Sequence, residues 1–175
     1  MTKRKKLTCK ETLTVQTHRI MPTHTNSFGN LFGGQLLYFL DNAASISQSR
    51  FTNSLSMTVS LDNMNFIRTL PEENSVCIES YVSGSGNRSV EVFVKVIGED
   101  LLTGERYIAA TSFLTFVVQL DPAEEEKFVM PEIVPESEEE KYICAAYEKR
   151  REERMLNREH DLKLQNNLSL KQPWM

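Results

Sequence analysis

Pro22-Thr23-His24-Thr25-Asn26-Ser27-Phe28-Gly29-Asn30-Leu31-Phe32-Gly33-Gly34-Gln35-Leu36-Leu37-Tyr38-Phe39-Leu40-Asp41-Asn42-Ala43-Ala44 is the stretch on which the fold turns. It sets a polar loop, punctuated by Pro22 and Gly29, directly before an apolar run. Leu36, Leu37, Leu40, Ala43, Ala44 and Ser47 recur at the spacing of a helix with a wide buried face, which predicts a helix over residues 33–50. The Gly33-Gly34 pair at its mouth permits close backbone approach and leaves amide donors free at the positive end of the helix. Asp41 is the one acid on that helix. A carboxylate there belongs either to the solvated flank or to a functional site held against the core, and the glycine pair favours the second.

Outward from this helix the period changes from helical to two. Before it, Leu13 and Val15 alternate with Thr12, Thr14 and Gln16, a short strand. After it, Leu55, Met57, Val59 and Leu61 alternate with serines and Thr58. Val76, Ile78 and Val82 form a further strand closed by Gly84-Ser85-Gly86, and Val90, Val92, Val94 and Val96 alternate with Glu91, Phe93, Lys95 and Ile97. Tyr107 to Leu120 reads as a buried strand. Short connections make successive strands antiparallel neighbours. A lone helix with a wide apolar stripe must pack on the one available sheet, so the sheet wraps it. A single wrapped sheet leaves edges uncovered, which favours pairing with a second copy.

The 175 residues fit one domain, with 40% hydrophobic and 25% charged residues, as in an ordinary globular protein. A net charge of -4 argues against nucleic acid as a partner. No apolar run reaches the roughly 18 residues of a membrane span. Lys3-Arg4-Lys5-Lys6 has no apolar stretch behind it and is not a secretory signal. Cys9, Cys77 and Cys144 lack framework spacing and read as reduced thiols of a cytoplasmic protein, Cys77 as a small hydrophobe in a strand. From Asp121 the composition shifts to Glu124-Glu125-Glu126, Glu138-Glu139-Glu140 and a charged helical pattern over 137–160 with a narrow stripe of Tyr142, Ala145, Ala146 and Lys149. It reads as a solvated helix or as a cap on a partner. The expected organisation is therefore a basic N-terminal extension (1–10), a domain (11–121) and a charged, mainly helical C-terminal extension (122–175).

Thr25-Asn26, Gly29, Leu31-Phe32-Gly33-Gly34, Leu37 and Asp41 to Ala44 resemble the hotdog-fold acyl-CoA thioesterases of the YciA and brain acyl-CoA hydrolase type. Asp62 to Phe66 is similar to the D-x-x-x-F strand segment of that family, Gly86-Asn87-Arg88-Ser89 to its glycine-arginine-serine turn, and Phe113 to Val118 to its last core strand. The resemblance is ordered across residues 11–121. Thr69 stands where a proline is usual, and Glu73-Asn74 where Gly-Asp is usual, both within one connection. It implies an α+β hotdog fold, an antiparallel sheet wrapped around one long central helix, here followed by a charged C-terminal helix. It also implies hydrolysis of acyl-CoA to free fatty acid and coenzyme A, as in fatty acid metabolism, without a cofactor.

Thioester hydrolysis needs a base or nucleophile, donors for the oxyanion and a slot that aligns the carbonyl. Asp41 supplies the carboxylate, either activating water or attacking the carbonyl itself; the buried setting expected of its helix would raise a carboxyl towards a useful range for a base. The Gly33 and Gly34 amides supply the donors. Gly34 and Asp41 lie about 10 Å apart along one helix, too far to act on one carbonyl. If both serve one thioester they come from different subunits, so the chemistry predicts a dimer with sites at its interface. The family implies a trimer of dimers, a homohexamer. Asn26 is by geometry either an Asx turn or a site residue, and the resemblance assigns it to the site. The resemblance also assigns Gly86, Asn87, Arg88 and Ser89 to coenzyme A, Arg88 being suited to bidentate phosphate contact, with Arg68 a weaker candidate.

The rivals fare worse. The histidines and cysteines lack metal-ligand spacing, and Gly84-Ser85-Gly86 is not a nucleophile elbow. A non-catalytic acyl-CoA sensor or carrier needs no carboxylate near the thioester. A hotdog dehydratase would want a histidine and carboxylate pair, and the helix carries no histidine.

Overall fold

A computed structural model describes residues 4–172 and Trp174, apart from the side chains of Glu124 and Glu159; Lys3 of the basic start lies outside the described residues. The elements in chain order are β1 (Lys6–Thr8), α1 (Cys9–Thr12), β2 (Thr14–Arg19), a 3-10 turn (Pro22–His24), α2 (Gly33–Thr52), β3 (Ser56–Phe66), β4 (Ser75–Ser85), β5 (Ser89–Glu99), β6 (Arg106–Val118), α3 (Pro122–Glu125), β7 (Glu132–Val134), α4 (Glu138–Ala145) and α5 (Tyr147–Asn166).

The expected helix is α2. It buries Leu36, Phe39, Leu40, Ala43, Ala44 and Phe51 against the sheet. Burying each large side chain contributes about 1.5–3 kcal/mol. Leu37 of the expected stripe is only half-buried, and Phe39 takes the inward place. Asn53 ends the helix in the left-handed region (φ 52), its amide bonded to the Ser49 carbonyl, a conformation asparagine tolerates. Beneath the helix, the Ser47 hydroxyl reaches Thr14 Oγ1 (3.0 Å) and Ser80 Oγ (2.8 Å), tying α2 to β2 and β4.

The five long strands form one antiparallel sheet in the order β2-β4-β5-β6-β3. This corrects one expectation: β3 and β4 follow each other in the chain but are not neighbours. The connection over residues 67–74 crosses to the far side, so β3 pairs with β6 and forms an edge. Local spacing does not report a crossover.

The outer face of the sheet is covered as well. Cys9, Tyr81 and Phe93 form a second apolar cluster with Leu13, Phe113, Ile133, Ile143 and Cys144. The chain from Lys6 onward is not a loose extension, because β1 pairs in parallel with β7, and Lys6 Nζ meets Glu132 Oε1 at 3.1 Å. Glu138 to Glu140 open α4 as favourable first-turn charges, with a Ser137–Glu140 capping box. The expected C-terminal stripe is displaced: Tyr142 is exposed, whereas Ile143, Cys144, Tyr147, Arg150 and Arg154 face the sheet. Tyr147 lies flat on Gly84, where an added Cβ would stand 2.2 Å from the ring. Glu91 is fully buried, accepting from Arg150 Nη2 (2.7 Å), Arg154 Nη1 (2.5 Å) and the Ser83 hydroxyl (2.7 Å). A lone buried carboxylate would cost several kcal/mol of desolvation, so the two guanidinium groups make its burial possible.

Candidate active site

Gly33 and Gly34 form the first turn of α2. Phe32 precedes the helix and offers no capping side chain, so the first-turn amides of Gly33 and Gly34 gain no side-chain cap from it. The Phe32 ring folds back over Gly34, where a Cβ would meet it at 2.6 Å, so position 34 must be glycine for the ring to lie there. The loop ahead is held by Phe32 N to His24 O (2.8 Å) and Asn26 N to Asn30 O (2.8 Å). Asn26 Oδ1 accepts from the amides of Phe28 (2.9 Å) and Asn30 (3.3 Å), an Asx turn completed by Gly29 at φ +70. The Asx-turn reading of Asn26 is the one seen: its oxygen shapes the turn, while its side-chain nitrogen donates to none of the described residues.

Asp41 departs from expectation. It is exposed, on the flank of the stripe that buries Leu40 and Ala44, so the burial expected for it is absent within one chain. Its Oδ1 accepts the hydroxyl of Thr58 on β3 at 2.7 Å. Tyr38, one turn earlier, and Met57 and Val59, which flank Thr58, are all more than half exposed. The acid and its partner thus sit in an uncovered apolar surface along the edge strand. Thr58 was not singled out from the sequence, since Ser54, Ser56 and Ser60 share its place in the alternation.

A groove of ≈ 590 Å³ joins Asn26, Phe28, Gly33, Leu36, Phe66 and Arg68 among its walls, but not Asp41. Arg68 pairs with Glu105 (2.8 Å) and lies over the Tyr107 ring (4.0 Å). The Gly86-Asn87-Arg88-Ser89 turn is elsewhere: Gly86 N bonds Ser89 O (2.8 Å), while Arg88 pairs with Glu125 and donates to Val118 O (3.2 Å). Ser89 borders a second groove of ≈ 580 Å³, beside Arg151, Arg154 and Arg158 of α5.

Sheet register shows how these positions divide. Ser89 pairs with Val117, and Val117 with Met57, so the turn and Thr58 occupy one end of the sheet. Phe66 pairs with Ala110, and the Arg68 amide bonds Ala109, so Arg68, Gly33 and Asn26 occupy the other. From Val117 to Ala110 is roughly 20 Å along β6. Within one chain the candidate residues therefore fall at opposite ends of the edge strand. His24 stays in the loop, its Nδ1 accepting from the Met21 amide (3.4 Å), and His18 stacks on Phe39 at 4.1 Å. Among the described residues no cluster of three or more His, Cys, Asp or Glu could hold a metal, and no helix is long and apolar enough to cross a membrane.

The thioesterase superfamily pattern matches residues 28–105. The chain is 44% identical over 166 residues, 95% of each chain, to the uncharacterized acyl-CoA thioester hydrolase YkhA of Bacillus subtilis. It is 31% identical to acyl-coenzyme A thioesterase 11 of Mus musculus over 78% of its own length, but spans only 23% of that protein. Among solved structures, the acyl-CoA hydrolase of Bacillus cereus superposes with a TM-score of 0.88 at 36% identity, covering 95% of this chain and 100% of that one. An acyl-CoA hydrolase of Staphylococcus aureus in complex with butyryl coenzyme A, coenzyme A and coenzyme A disulfide gives 0.83 at 25% identity, over 92% and 97% of the two chains. That protein was also solved as an aspartate-to-alanine and a threonine-to-alanine variant, at positions separated by 17 residues, the separation of Asp41 and Thr58. A hexameric acyl-CoA thioesterase gives 0.80 at 32% identity, over 87% and 97%. The chain belongs to the acyl-CoA thioester hydrolases of the thioesterase superfamily, and its fold is the hotdog fold.

Proposed function

We propose that this protein hydrolyses acyl-CoA thioesters to free fatty acid and coenzyme A, at sites that each draw on two protomers. The observation that carries the reading is the separation just described: the free amides of Gly33 and Gly34 with Asn26 at one end of an exposed apolar edge strand, and Asp41 with Thr58 at the other. Two β3 strands paired antiparallel about a two-fold axis bring the first end of one protomer to the second end of its partner. The same pairing covers Met57, Val59 and Tyr38 and removes the free edge. Further assembly of such dimers gives the homohexamer, a trimer of dimers.

In that site the acyl carbonyl points its oxygen at the Gly33 and Gly34 amides, which hold the negative charge that develops there. Asp41 of the other protomer takes a proton from water as the water oxygen attacks the carbonyl carbon, or attacks that carbon itself. Thr58 fixes one Asp41 oxygen and so aims the other, and the Asn26 amide positions the attacking water or the carbonyl. The carbon–sulfur bond then breaks and coenzyme A leaves as a thiolate that takes up a proton; where Asp41 has attacked, water then hydrolyses the mixed anhydride left on it to the free acid and the Asp41 carboxylate. Arg68 and the Gly86, Asn87, Arg88 and Ser89 turn serve the coenzyme A moiety; Arg88 must exchange its Glu125 partner for phosphate to do so. The thioesterase domain is residues 11–121, with the segment from 122 onward covering its outer sheet face. Three free thiols support a reducing, cytoplasmic setting.

The test is thiol release from a panel of short- to long-chain acyl-CoAs, wild type against Asp41→Asn. Release by the wild type and loss in the variant support the reading. Saturable acyl-CoA binding with no thiol released by either protein makes this a sensor or carrier.

A further inference from the structure

Two of the three cysteines meet across the length of the chain. Cys9 opens α1, and Cys144 stands near the end of α4, yet their Sγ atoms are 3.8 Å apart. Cys9 is fully buried in the outer-face cluster, its thiol also 3.5 Å from the Val82 carbonyl, and Cys144 is partly exposed. From this we infer that Cys9 and Cys144 are a redox modification site, closing to a disulfide under peroxide and tying the N-terminal segment to the C-terminal cap.

The geometry asks little. A disulfide needs its sulfurs about 2.05 Å apart, so an approach of roughly 1.8 Å suffices, within reach of side-chain rotation. The segments that must hold still are already joined, β1 to β7 by strand pairing and α4 to the sheet by Lys95 with Glu139 (2.8 Å). Cys77 cannot substitute, since it lies five residues from Val82 along β4, about 17 Å away. Cys144 is the sulfur that reacts first. Hydrogen-bond donation from the Cys9 thiol, with the charge of Arg150 nearby, favours its thiolate, while the same bond and burial hold Cys9 protonated.

The Cys144 thiolate attacks one peroxide oxygen and the O–O bond breaks. Hydroxide departs, taking as water the proton that Cys144 gave up, and leaves a sulfenic acid. Cys9 then attacks that sulfur, the S–O bond breaks, and a second water carries away the Cys9 proton. Two thiols have given two electrons, and one hydrogen peroxide has become two waters. Because the link joins residues 135 positions apart in a chain of 175, it restricts the unfolded state and raises the melting temperature.

The experiment uses the full chain, reduced, desalted and exposed to hydrogen peroxide, with intact mass and non-reducing peptide mapping. The expected result is a loss of about 2 Da, one cross-linked peptide pair containing Cys9 and Cys144, reversal by dithiothreitol, and Cys77 still open to alkylation. Melting should rise by several degrees on oxidation, and this rise should vanish in Cys144→Ser. The inference is overturned by Cys144 gaining oxygen as sulfinic or sulfonic acid without a cross-link, by a Cys144 link between two copies, or by three thiols that stay alkylatable. If the variant does not fold, the wild-type peptide map decides alone.

Discussion

Thr58 on β3 donates its hydroxyl proton to Asp41 on α2 at 2.7 Å, across the exposed edge of the sheet. In the proposed mechanism the other Asp41 oxygen takes the proton, and Asp41→Asn removes that acceptor while keeping the size. Turnover should fall at least about 100-fold, with oligomer size and acyl-CoA affinity retained. Thr58→Val keeps the shape without the hydroxyl and should lower kcat about 10-fold with a small change in KM. Thr58→Ser should recover most of the rate. Steady-state kinetics check this; a Thr58→Val enzyme with wild-type kcat would remove Thr58 from the site.

Glu91 makes the second prediction, on stability. Its carboxylate holds two guanidinium groups and a serine hydroxyl in a covered place. Glu91→Ala should destabilise the chain by about 3–5 kcal/mol, because Arg150 is left facing the sheet without its anion and Arg154 keeps only the longer Asp62 pair at 3.7 Å. Urea unfolding with an unchanged slope reads this directly. A loss under about 1 kcal/mol would mean that α5 contributes little to the fold.

How much was legible follows from such residues. The helix and the strands announced themselves because their apolar positions repeat at fixed short spacing, and the resemblance gave them an arrangement. Glu91 read as the polar partner of Val90 and Val92, yet it is buried, because α5 arrives from some sixty positions away with two arginines turned inward. No local pattern encodes that. The narrow stripe expected on the C-terminal helix failed for the same reason, since an inward arginine looks in sequence like a solvated one. The β1 to β7 pairing rests on strands of three residues each, too short to show a period. Asp41 is the one acid of α2, and the expectation that its helix would bury it failed, since it sits on the flank of the buried stripe.

Gly84 is where the cap meets the sheet. Adding a methyl group in Gly84→Ala puts it 2.2 Å from the ring of Tyr147, the buried first residue of α5. The cost should be about 1–3 kcal/mol. In Gly84→Ala combined with Tyr147→Ala the added methyl meets no ring, so the double variant should be more stable than the two single losses together would give. Purely additive losses in a double-mutant cycle would disprove the contact.

His18 should make stability depend on pH. Its ring lies parallel to Phe39 (3°), its Nε2 is buried without a partner, and burial, then the nearby His24, hold its pKa below the ordinary 6.5. The unfolded chain therefore binds the proton more readily than the folded one. The stabilisation from neutral His18 is complete above pH 6.5 and is lost as pH falls towards the folded-state value. His18→Phe keeps the stack and removes the titration. Urea midpoints of the wild type should drop more steeply than those of the variant between about pH 6.5 and 5. Parallel curves would show that His18 does not titrate in this way.

Shared sites between protomers admit a sharper test than any single substitution. Asp41→Asn and Asn26→Ala should each be nearly inactive. In a dimer with one subunit of each kind, one composite site carries both substitutions, and the other combines the intact Asn26 of the first subunit with the intact Asp41 of the second. Random assembly makes half the dimers mixed, so co-expressed variants should recover about a quarter of wild-type turnover. If Asp41 and Asn26 of the same chain served one site, each site would keep one defect and mixing would restore nothing. Thiol release from the co-purified mixture, with the subunit ratio set by intact mass, separates these two architectures.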